Sequence, residues 1–176
     1  VVVDASGMQD KVYNDFYIAE GAEVTIVAGC GIHNSGCNES RHEGIHSFHV
    51  GKGANVRYEE KHYGEGEGTG SKVLNPVTAI YLEEEAVFTL DAAQIRGVDS
   101  TVRETEVEMG AGSKLYVIEK LMTHDDQLAE SNMEVRMKLI KMLVRFRVPG
   151  MPGFKGKRRS AGLFSELFFY RERSHI

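Results

Sequence analysis

Residues 48–58 read FHVGKGANVRY, which places two alternating apolar positions before a short glycine-containing bend and two more after it. Three other stretches repeat this arrangement, and their first apolar positions are Phe16, Ile80 and Val107. Successive starts lie 32, 32 and 27 residues apart. Self-similarity at a nearly constant spacing is typical of solenoids, in which each unit buries its apolar side against the next.

Alternation of apolar and other residues indicates strands with one buried face, because successive side chains point to opposite sides of a strand. We therefore predict an all-β protein, a right-handed parallel β-helix in which each repeat contributes two strands. An antiparallel β-sandwich or barrel is the alternative, since the bends could equally be hairpin loops. The positions expected to face inward are Val24, Ile26, Phe48, Val50, Val56, Tyr58, Ile80, Leu82, Phe88, Leu90, Val107, Met109, Leu115 and Val117.

The distribution of charge divides the chain into two parts. Residues 1–137 contain 11 Lys and Arg against 24 Asp and Glu, whereas residues 138–176 contain 10 against 2. The apolar alternation also stops at this point, so we expect a β-helix core at 1–137 and a basic tail at 138–176. A shifted reading frame or a disordered arm would each produce such a break. An amphipathic helix at 138–147 and a basic nucleic-acid or membrane arm at 155–159 are the functional alternatives.

Composition also bears on partners and location. The acidic part would repel phosphates, so no nucleic-acid partner is expected. The apolar runs are far shorter than the roughly 18 residues of a membrane span, and the start of the chain lacks the features of a signal peptide. We therefore expect a cytoplasmic protein with no membrane partner. Because the chain opens at Val1 within an apolar run, it is interpreted as a piece of a longer protein.

Both cysteines and four of the seven histidines fall between residues 30 and 49. Thiolates and imidazoles are ligands of zinc and of iron–sulfur centres, so Cys30, His33, Cys37 and His42 form a candidate metal site. The alternative is a polar loop followed by a strand, because the spacing matches no common zinc module.

Two other polar features, a glycine-rich run and a set of alternating glutamates, are interpreted as structural. The chain is therefore not expected to be an enzyme. The run GEGEGTG at 64–70 lacks the spacing of a phosphate-binding loop and carries acidic residues. Residues 63–72 are therefore expected to form a flexible excursion between coils. Alternation places Glu104, Glu106 and Glu108 on one side of a strand, which is typical of a solvated outer face.

Five stretches resemble the core of the SufB/SufD family of iron–sulfur cluster assembly proteins, and the resemblance extends over approximately residues 12–136. They read GIHSFHVGKGA at 44–54, EKHYG at 60–64, LNP at 74–76, QIRGVDST at 94–101 and LMTH at 121–124. Their length and order make the resemblance specific. It implies a fragment of a right-handed parallel β-helix.

The same resemblance implies a function in iron–sulfur cluster assembly. The chain is expected to work with a SufC-type ABC ATPase and a partner SufB/SufD-like protomer, and to carry a cluster only transiently in the intact complex. Cys30 follows a bend and a strand, as does the family cysteine that is implicated in receiving sulfur, which makes Cys30 the candidate sulfur acceptor. A cysteine desulfurase or a sulfur carrier would then be a further partner. An interaction module without cluster chemistry and a metal-dependent enzyme using residues 30–49 are the alternatives.

Overall fold

The computed structural model describes the backbone of residues 2–4, 6–137, 143–147 and 157–165, and the side chains of residues 6–137. These residues form thirteen strands and no helix, which confirms the all-β prediction for this part of the chain. The strands are β1 (Val2–Asp4), β2 (Gln9–Ile18), β3 (Glu23–His33), β4 (Ser40–Val50), β5 (Asn55–Glu65), β6 (Lys72–Leu74), β7 (Val77–Leu82), β8 (Val87–Arg96), β9 (Ser100–Met109), β10 (Lys114–Leu121), β11 (Leu128–Met137), β12 (Leu143–Arg147) and β13 (Lys157–Ser165). Within these ranges no segment is a helix long and apolar enough to cross a membrane.

The strands form two sheets with the core between them. One sheet has the order β1-β3-β5-β8-β10-β12, and the other has the order β13-β11-β9-β6-β4-β2, with β7 also pairing with β4 and β9. The chain alternates between the sheets, so β2 and β3 form a first coil, β4 and β5 a second, β6 to β8 a third, and β9 and β10 a fourth. All strand pairings of the described residues are parallel, which confirms the β-solenoid and rules out the antiparallel sandwich.

The register of the strands follows the sequence repeat. Phe16 pairs with Phe48, Phe48 with Ile80, and Ile80 with Val107, so the four repeat starts form one column across successive coils. Phe16 and Phe48 stack with their ring centroids 4.8 Å apart. Offsets of 32, 32 and 27 residues are therefore the lengths of successive turns of the solenoid.

The predicted inward positions form the main core. Phe48, Tyr58 and Phe88 are fully buried, and Phe48 contacts both of the other rings with centroids 4.7 and 5.1 Å apart. Val24 and Ile26 of the first coil are only partly buried, although they pack against the same cluster. Fully burying an apolar side chain of this size contributes about 1.5–3 kcal/mol relative to leaving it exposed, so the stacked columns are the main source of stability.

The two strands of each coil are joined by a tight bend. Gly21, Gly53 and Gly112 occupy the bend with φ of 66°, 64° and 69°, a backbone conformation that costs glycine little. In the third coil Glu85 takes the corresponding place with φ of 58°. The glycine of each repeat therefore marks the bend between the two strands of a coil.

Two further strands lie within the predicted basic tail. Strand β12 pairs with β10 so that Val144 and Phe146 are in register with the inward Leu115 and Val117. Strand β13 pairs with β11. The coils thus continue in these two segments, because apolar residues still alternate in β12 at the spacing of the earlier repeats. The rest of 138–176 lies outside the described residues, and the predicted domain division stays a prediction.

Candidate functional site

The interior of the solenoid changes from apolar to polar along each coil. In β4 the inward positions before Phe48 are His42, Gly44 and His46, and in β5 those after Tyr58 include Glu60 and His62. Every one of these histidine and glutamate side chains is at most 5% exposed. Because side chains alternate strictly along a strand, the residues that continue the phase of the apolar positions must also face inward. The coils therefore enclose a cluster of ionisable groups.

A network of charged groups occupies the centre of this cluster. Oε2 of Glu60 lies 2.7 Å from Nη1 of Arg103, and Nε of Arg103 lies 3.5 Å from a carboxylate oxygen of Glu119. Nε2 of His62 lies 3.3 Å from Oε1 of Glu60, to which the Tyr58 hydroxyl donates a hydrogen bond of 3.0 Å. Burial of these charges is tolerated because each has a partner of opposite sign.

The network fixes the ionisation of its members. Burial opposes ionisation of Glu60, but the charge of Arg103, followed by that of His62, holds the pKa of Glu60 well below its usual range. Burial likewise opposes the charge of Arg103, while Glu60 and Glu119 raise its pKa. The pKa of Tyr58 is raised by burial and then by the Glu60 carboxylate. Glu60 and Arg103 therefore hold permanent charges and are not suited to donating or accepting protons near neutral pH.

Two histidines of β4 lean over a glycine beside this network. A Cβ built on Gly44 would lie 2.9 Å from Nε2 of His46 and 3.6 Å from Nε2 of His42. Neither nitrogen has a hydrogen-bond partner among the described residues. The opposite ring nitrogens are engaged, since Nδ1 of His42 lies 2.8 Å from a carboxylate oxygen of Asp10 and Nδ1 of His46 lies 3.4 Å from the amide nitrogen of Asn14.

Cys30, the candidate sulfur acceptor, is buried. It is 5% exposed and packs with Ile32, Leu74 and Val98 in a small second cluster. Burial, followed by the negative charge of Glu60, raises the pKa of the Cys30 thiol to about 11. An acceptor thiol should be accessible and partly ionised, whereas Cys30 is buried and its raised pKa keeps it protonated, because its position in β3 directs the side chain into the interior.

The four predicted metal ligands do not come together. Cys30 faces the interior from β3, while His33, an odd number of residues later, lies on the other face and makes a 2.8 Å hydrogen bond to Ser35. Cys37 is exposed in the loop after β3, and His42 is buried in the opposite sheet. Among the described side chains no group of three or more His, Cys, Asp or Glu has an arrangement that could hold a metal ion.

The glycine-rich segment is held against the loop of the preceding coil rather than forming a free excursion. The amide of Gly68 donates to Asn34 O at 3.1 Å, and the amide of Gly70 donates to Gly36 O at 3.0 Å. A Cβ on Gly70 would lie 2.0 Å from Asn38 O. The predicted flexibility of 63–72 is therefore wrong in this stretch, because the glycines allow two backbones to approach closely.

The outer faces of the coils agree with the prediction for the acidic strand. Glu104 and Glu106 are exposed and Glu108 is half-buried, whereas the alternate positions of β9 are buried. On the same sheet an aromatic column runs outside the coils, because Tyr17 stacks on His49 and His49 on Tyr81 with centroids 4.6 and 4.9 Å apart. This column lies beside a groove of about 1010 Å³.

Neither the interior charges nor the aromatic column was predicted from the sequence motifs. Both carry a signal that the repeat itself provides. In β5 the alternation that directs Val56 and Tyr58 inward also directs Glu60 and His62 inward. In β9 Glu104 faces outward, so its neighbour Arg103 faces inward. A spacing of 32 residues relates Tyr17, His49 and Tyr81. These residues can be identified in the sequence by continuing the inward–outward alternation of each strand past its apolar positions and by following the 32-residue repeat.

Comparisons with models of protein families, with curated proteins and with solved structures find no match to this chain. Functional inference therefore depends on the residues and on the geometry of the coils.

Proposed function

We propose that the chain is part of a cytoplasmic iron–sulfur cluster assembly scaffold that acts with a SufC-type ABC ATPase and a SufB/SufD-like protomer. The observation that carries the proposal is the in-register parallel stacking of the coils, which is the fold that the resemblance implies. The resembling stretches at 44–54 and 94–101 lie in adjacent turns of this stack. Their buried polar side chains are those of His46, Gln94 and Thr101.

Sulfur transfer to Cys30 requires a change in its surroundings. The sulfur atom of an acceptor thiolate attacks the terminal sulfur of a donor persulfide, a new S–S bond forms on the acceptor, and the donor leaves as a thiol after protonation. A thiol with a pKa of about 11 is almost fully protonated at neutral pH, so buried Cys30 is a poor nucleophile as it stands. Opening of the first coil, driven by the ATPase in the complex, would expose the thiol and favour its ionisation.

Cys37 offers a contrasting thiol seven residues away. It is free and exposed in the loop after β3, and it needs no conformational change to react. In the isolated chain Cys37 should therefore react with iodoacetamide much faster than Cys30. The ratio of the two reaction rates measures how well the first coil shields Cys30 from solvent, because the two thiols belong to the same segment and differ mainly in burial.

The sulfur-transfer proposal is tested with a cysteine desulfurase, its carrier, the ATPase and the partner protomer. We expect mass spectrometry to find a persulfide on Cys30 only when the ATPase turns over ATP, and we expect the Cys30→Ser variant to lose it. The Cys37→Ser variant is the matched control and should retain labelling of Cys30. Persulfide found on Cys37 alone, with or without ATP, would remove Cys30 from the acceptor role.

Cluster assembly itself is tested separately. Anaerobic incubation of the same complex with iron and sulfide should produce the visible absorbance of an iron–sulfur cluster, and passage over a chelating resin should remove it, because the cluster is bound transiently. An interaction module would assemble with its partners and yet show no such absorbance. That result would defeat the scaffold proposal while leaving the fold unaffected.

A further inference from the structure

A column of three stacked rings runs along the outer face of one sheet. Tyr17, His49 and Tyr81 are in register on β2, β4 and β7, and each pair of rings is nearly parallel, with interplanar angles of 6° and 10°. Because the rings stack from coil to coil, each covers a face of the next and presents its edge to solvent. His49 therefore has both faces covered, and the stack can be extended only at its ends.

The stack ends in an open ring face at Tyr17. Strand β2 pairs with β4 and with no second strand of the described residues, so His49 is the ring that covers Tyr17 within this part of the chain. Tyr17 is accordingly 77% exposed. At the other end, Tyr81 is followed in register by Glu108 rather than by a ring. The free face of Tyr17 is thus a position at which a planar cationic group of a ligand would continue the stack.

The groove of about 1010 Å³ beside this column follows the ends of the strands across four coils, and we call it the aromatic groove. It is lined by residues 17–19, 49–52, 81–84 and 108–111. Backbone hydrogen bonds join neighbouring coils along it, from the amide of Gly51 to Ile18 O at 2.9 Å and from the amide of Gly110 to Leu82 O at 2.7 Å. Because this ladder fixes the floor of the groove, little conformational entropy of the chain is lost when a ligand binds.

The rim of the aromatic groove is negatively charged. Glu83, Glu84 and Glu108 line it, together with a single lysine, Lys52. Lys52 is already engaged, because its Nζ lies 2.6 Å from Oε2 of Glu84 and its backbone amide donates to Oε2 of Glu83 at 3.0 Å. Glu83 is exposed and forms no ion pair with a cation of the described residues. A carboxylate placed in this way, beside apolar ring edges, favours a ligand that combines positive charge with apolar surface.

Arginine suits both features of the groove. Its planar guanidinium stacks on an aromatic face and also pairs with a carboxylate through two N–H groups, whereas the compact ammonium of lysine does neither. Tyr81 lies two coils from Tyr17, roughly 9–10 Å away at the usual strand spacing, and Glu83 is two residues beyond Tyr81. An extended segment rises about 3.3 Å per residue and directs alternate side chains to the same side. Two arginines four residues apart therefore span the distance from Tyr17 to Glu83.

We propose that the aromatic groove is a docking site for an extended segment of a partner protein that carries two arginines four residues apart. One guanidinium stacks on the open face of Tyr17, and the other pairs with the carboxylate of Glu83. The residues between them lie along the ring edges of the column. The site goes beyond the proposed function, because it lies outside the coils and involves neither Cys30 nor the buried charges.

The test titrates a fluorescein-labelled peptide of sequence GRVYVRG with the 176-residue chain and follows fluorescence anisotropy. We expect saturable binding of one peptide per chain, weakened by added salt because exposed charges are screened. The peptide GKVYVKG should bind at least about twofold more weakly, since its ammonium groups do not stack flat on a ring. The peptide GEVYVEG should not bind. Absence of saturable binding of GRVYVRG, or equal affinity for the lysine peptide, would overturn the proposal.

Two variants of exposed residues place the peptide in the groove. Tyr17→Leu and Glu83→Gln should each weaken binding of GRVYVRG by about two- to fivefold, and the double variant by the product of the two factors. Tyr13→Leu is the matched control for the ring, because Tyr13 is a 66% exposed tyrosine of the same strand that does not line the groove. Glu23→Gln, at an exposed position of the other sheet, is the control for the charge. Equal losses in the controls would contradict the site.

Photo-crosslinking of the wild-type chain needs no variant and guards against variants that fail to fold. A benzoylphenylalanine in place of the peptide's tyrosine should label residues within 17–20 and 81–84, as read by mass spectrometry of proteolytic fragments. Labelling confined to other parts of the chain would overturn the site. Self-association of the chain that Tyr17→Leu abolishes would also overturn it, since the groove would then be filled by a second copy. Failure of persulfide transfer or of cluster assembly would leave these outcomes unchanged.

Discussion

Glu60 and Arg103 illustrate how a single residue inside a solenoid is controlled by residues of other coils. Glu60 belongs to the second coil and Arg103 to the fourth, yet their side chains meet at 2.7 Å and neither is more than 4% exposed. Arg103 also approaches Glu119 at 3.5 Å. Replacing a whole buried ion pair by apolar residues is often tolerated, whereas removing one partner leaves an uncompensated charge.

This asymmetry predicts the effect of Glu60→Gln. The change leaves Arg103 buried with only the longer contact to Glu119, so the free energy of unfolding should fall by about 3–5 kcal/mol. Denaturant unfolding followed by circular dichroism measures the change. Glu59→Gln is the matched control, because Glu59 forms an exposed contact with Arg57 at 2.6 Å and should change stability by less than about 1 kcal/mol.

The free energy of unfolding of Glu60→Gln should also differ from that of the wild type in its pH dependence. Because the pKa of Glu60 is lowered in the folded chain, its stabilising contribution is present above the unfolded value of about 4.3 and is lost as the pH falls through the folded value. The difference in stability between wild type and Glu60→Gln should therefore narrow on acidification. A difference that widens at low pH, or a variant as stable as the control at neutral pH, would contradict the role of the ion pair.

Individual positions also show which features a sequence can predict. Phe48 was predicted to lie inward and is fully buried, because alternating apolar residues of a strand share its buried face. Glu60 has the same phase, but a glutamate at an inward position looks like a solvated residue until its partner is known. Arg103 lies 43 residues further along the chain, so the pairing depends on how the coils stack. Interior polar contacts are thus fixed by tertiary structure.

At the scale of the element, the loops at the ends of the strands are built by close packing of backbone on backbone. The Asn34 side chain is fully buried and donates hydrogen bonds to Asn38 O at 2.8 Å and to Gly70 O at 3.1 Å. Its oxygen accepts a 3.0 Å hydrogen bond from the Gly36 amide. One asparagine therefore ties the glycine-rich loop to the loop of the preceding coil, which composition alone did not reveal.

The packing of these loops predicts opposite effects for two glycine substitutions. In Gly70→Ala the new Cβ would lie 2.0 Å from Asn38 O, so the loops must separate and the free energy of unfolding should fall by about 1–3 kcal/mol. In Gly29→Ala the new Cβ would lie 4.0 Å from Lys61 O, which is an ordinary contact distance. Because Gly29 lies inside strand β3, alanine should be favoured over glycine there by about 0.5–1 kcal/mol.

Thermal melting of both variants measures this pair of effects. Gly29→Ala serves as the control for adding a methyl group to the same half of the solenoid. If Gly70→Ala melts at or above the temperature of the wild type, the two loops are not in contact and the segment is mobile after all. If both substitutions destabilise equally, the close approach at Gly70 has no special role.

At the scale of the whole molecule, each coil depends on its neighbours for burial. Inward residues of the second and third coils, such as Val56 and Leu90, are fully buried, whereas Phe16 and Ile26 of the first coil are only partly buried. Strand β2 pairs with β4 and with no second strand of the described residues. Because the stability of a solenoid is approximately a sum over repeats and their interfaces, opening should begin where a coil has one neighbour.

This unequal burial predicts a gradient of amide hydrogen exchange in the 176-residue chain. Amides of β2 should exchange fastest among the long strands of the first three coils, because β2 pairs on one side only, whereas those of β4, β5 and β8, which pair on both sides, should exchange more slowly. Phe16→Ala should speed exchange in β2 and β3 while leaving β8 and β9 protected. Phe88→Ala removes a fully buried ring, which costs about 3–5 kcal/mol, and should speed exchange in all coils.

Exchange read by mass spectrometry on peptides from each strand distinguishes this gradient from global unfolding. In a chain that opens only as one unit, the slowest amides of every strand share a single rate, and Phe16→Ala raises that rate throughout. Such a result would contradict the view of the coils as units coupled only to their neighbours. Confinement of the Phe16→Ala effect to the first coil would instead show that the first coil opens while the second coil, with its buried charges and histidines, stays closed, as expected when each coil is coupled only to its neighbours.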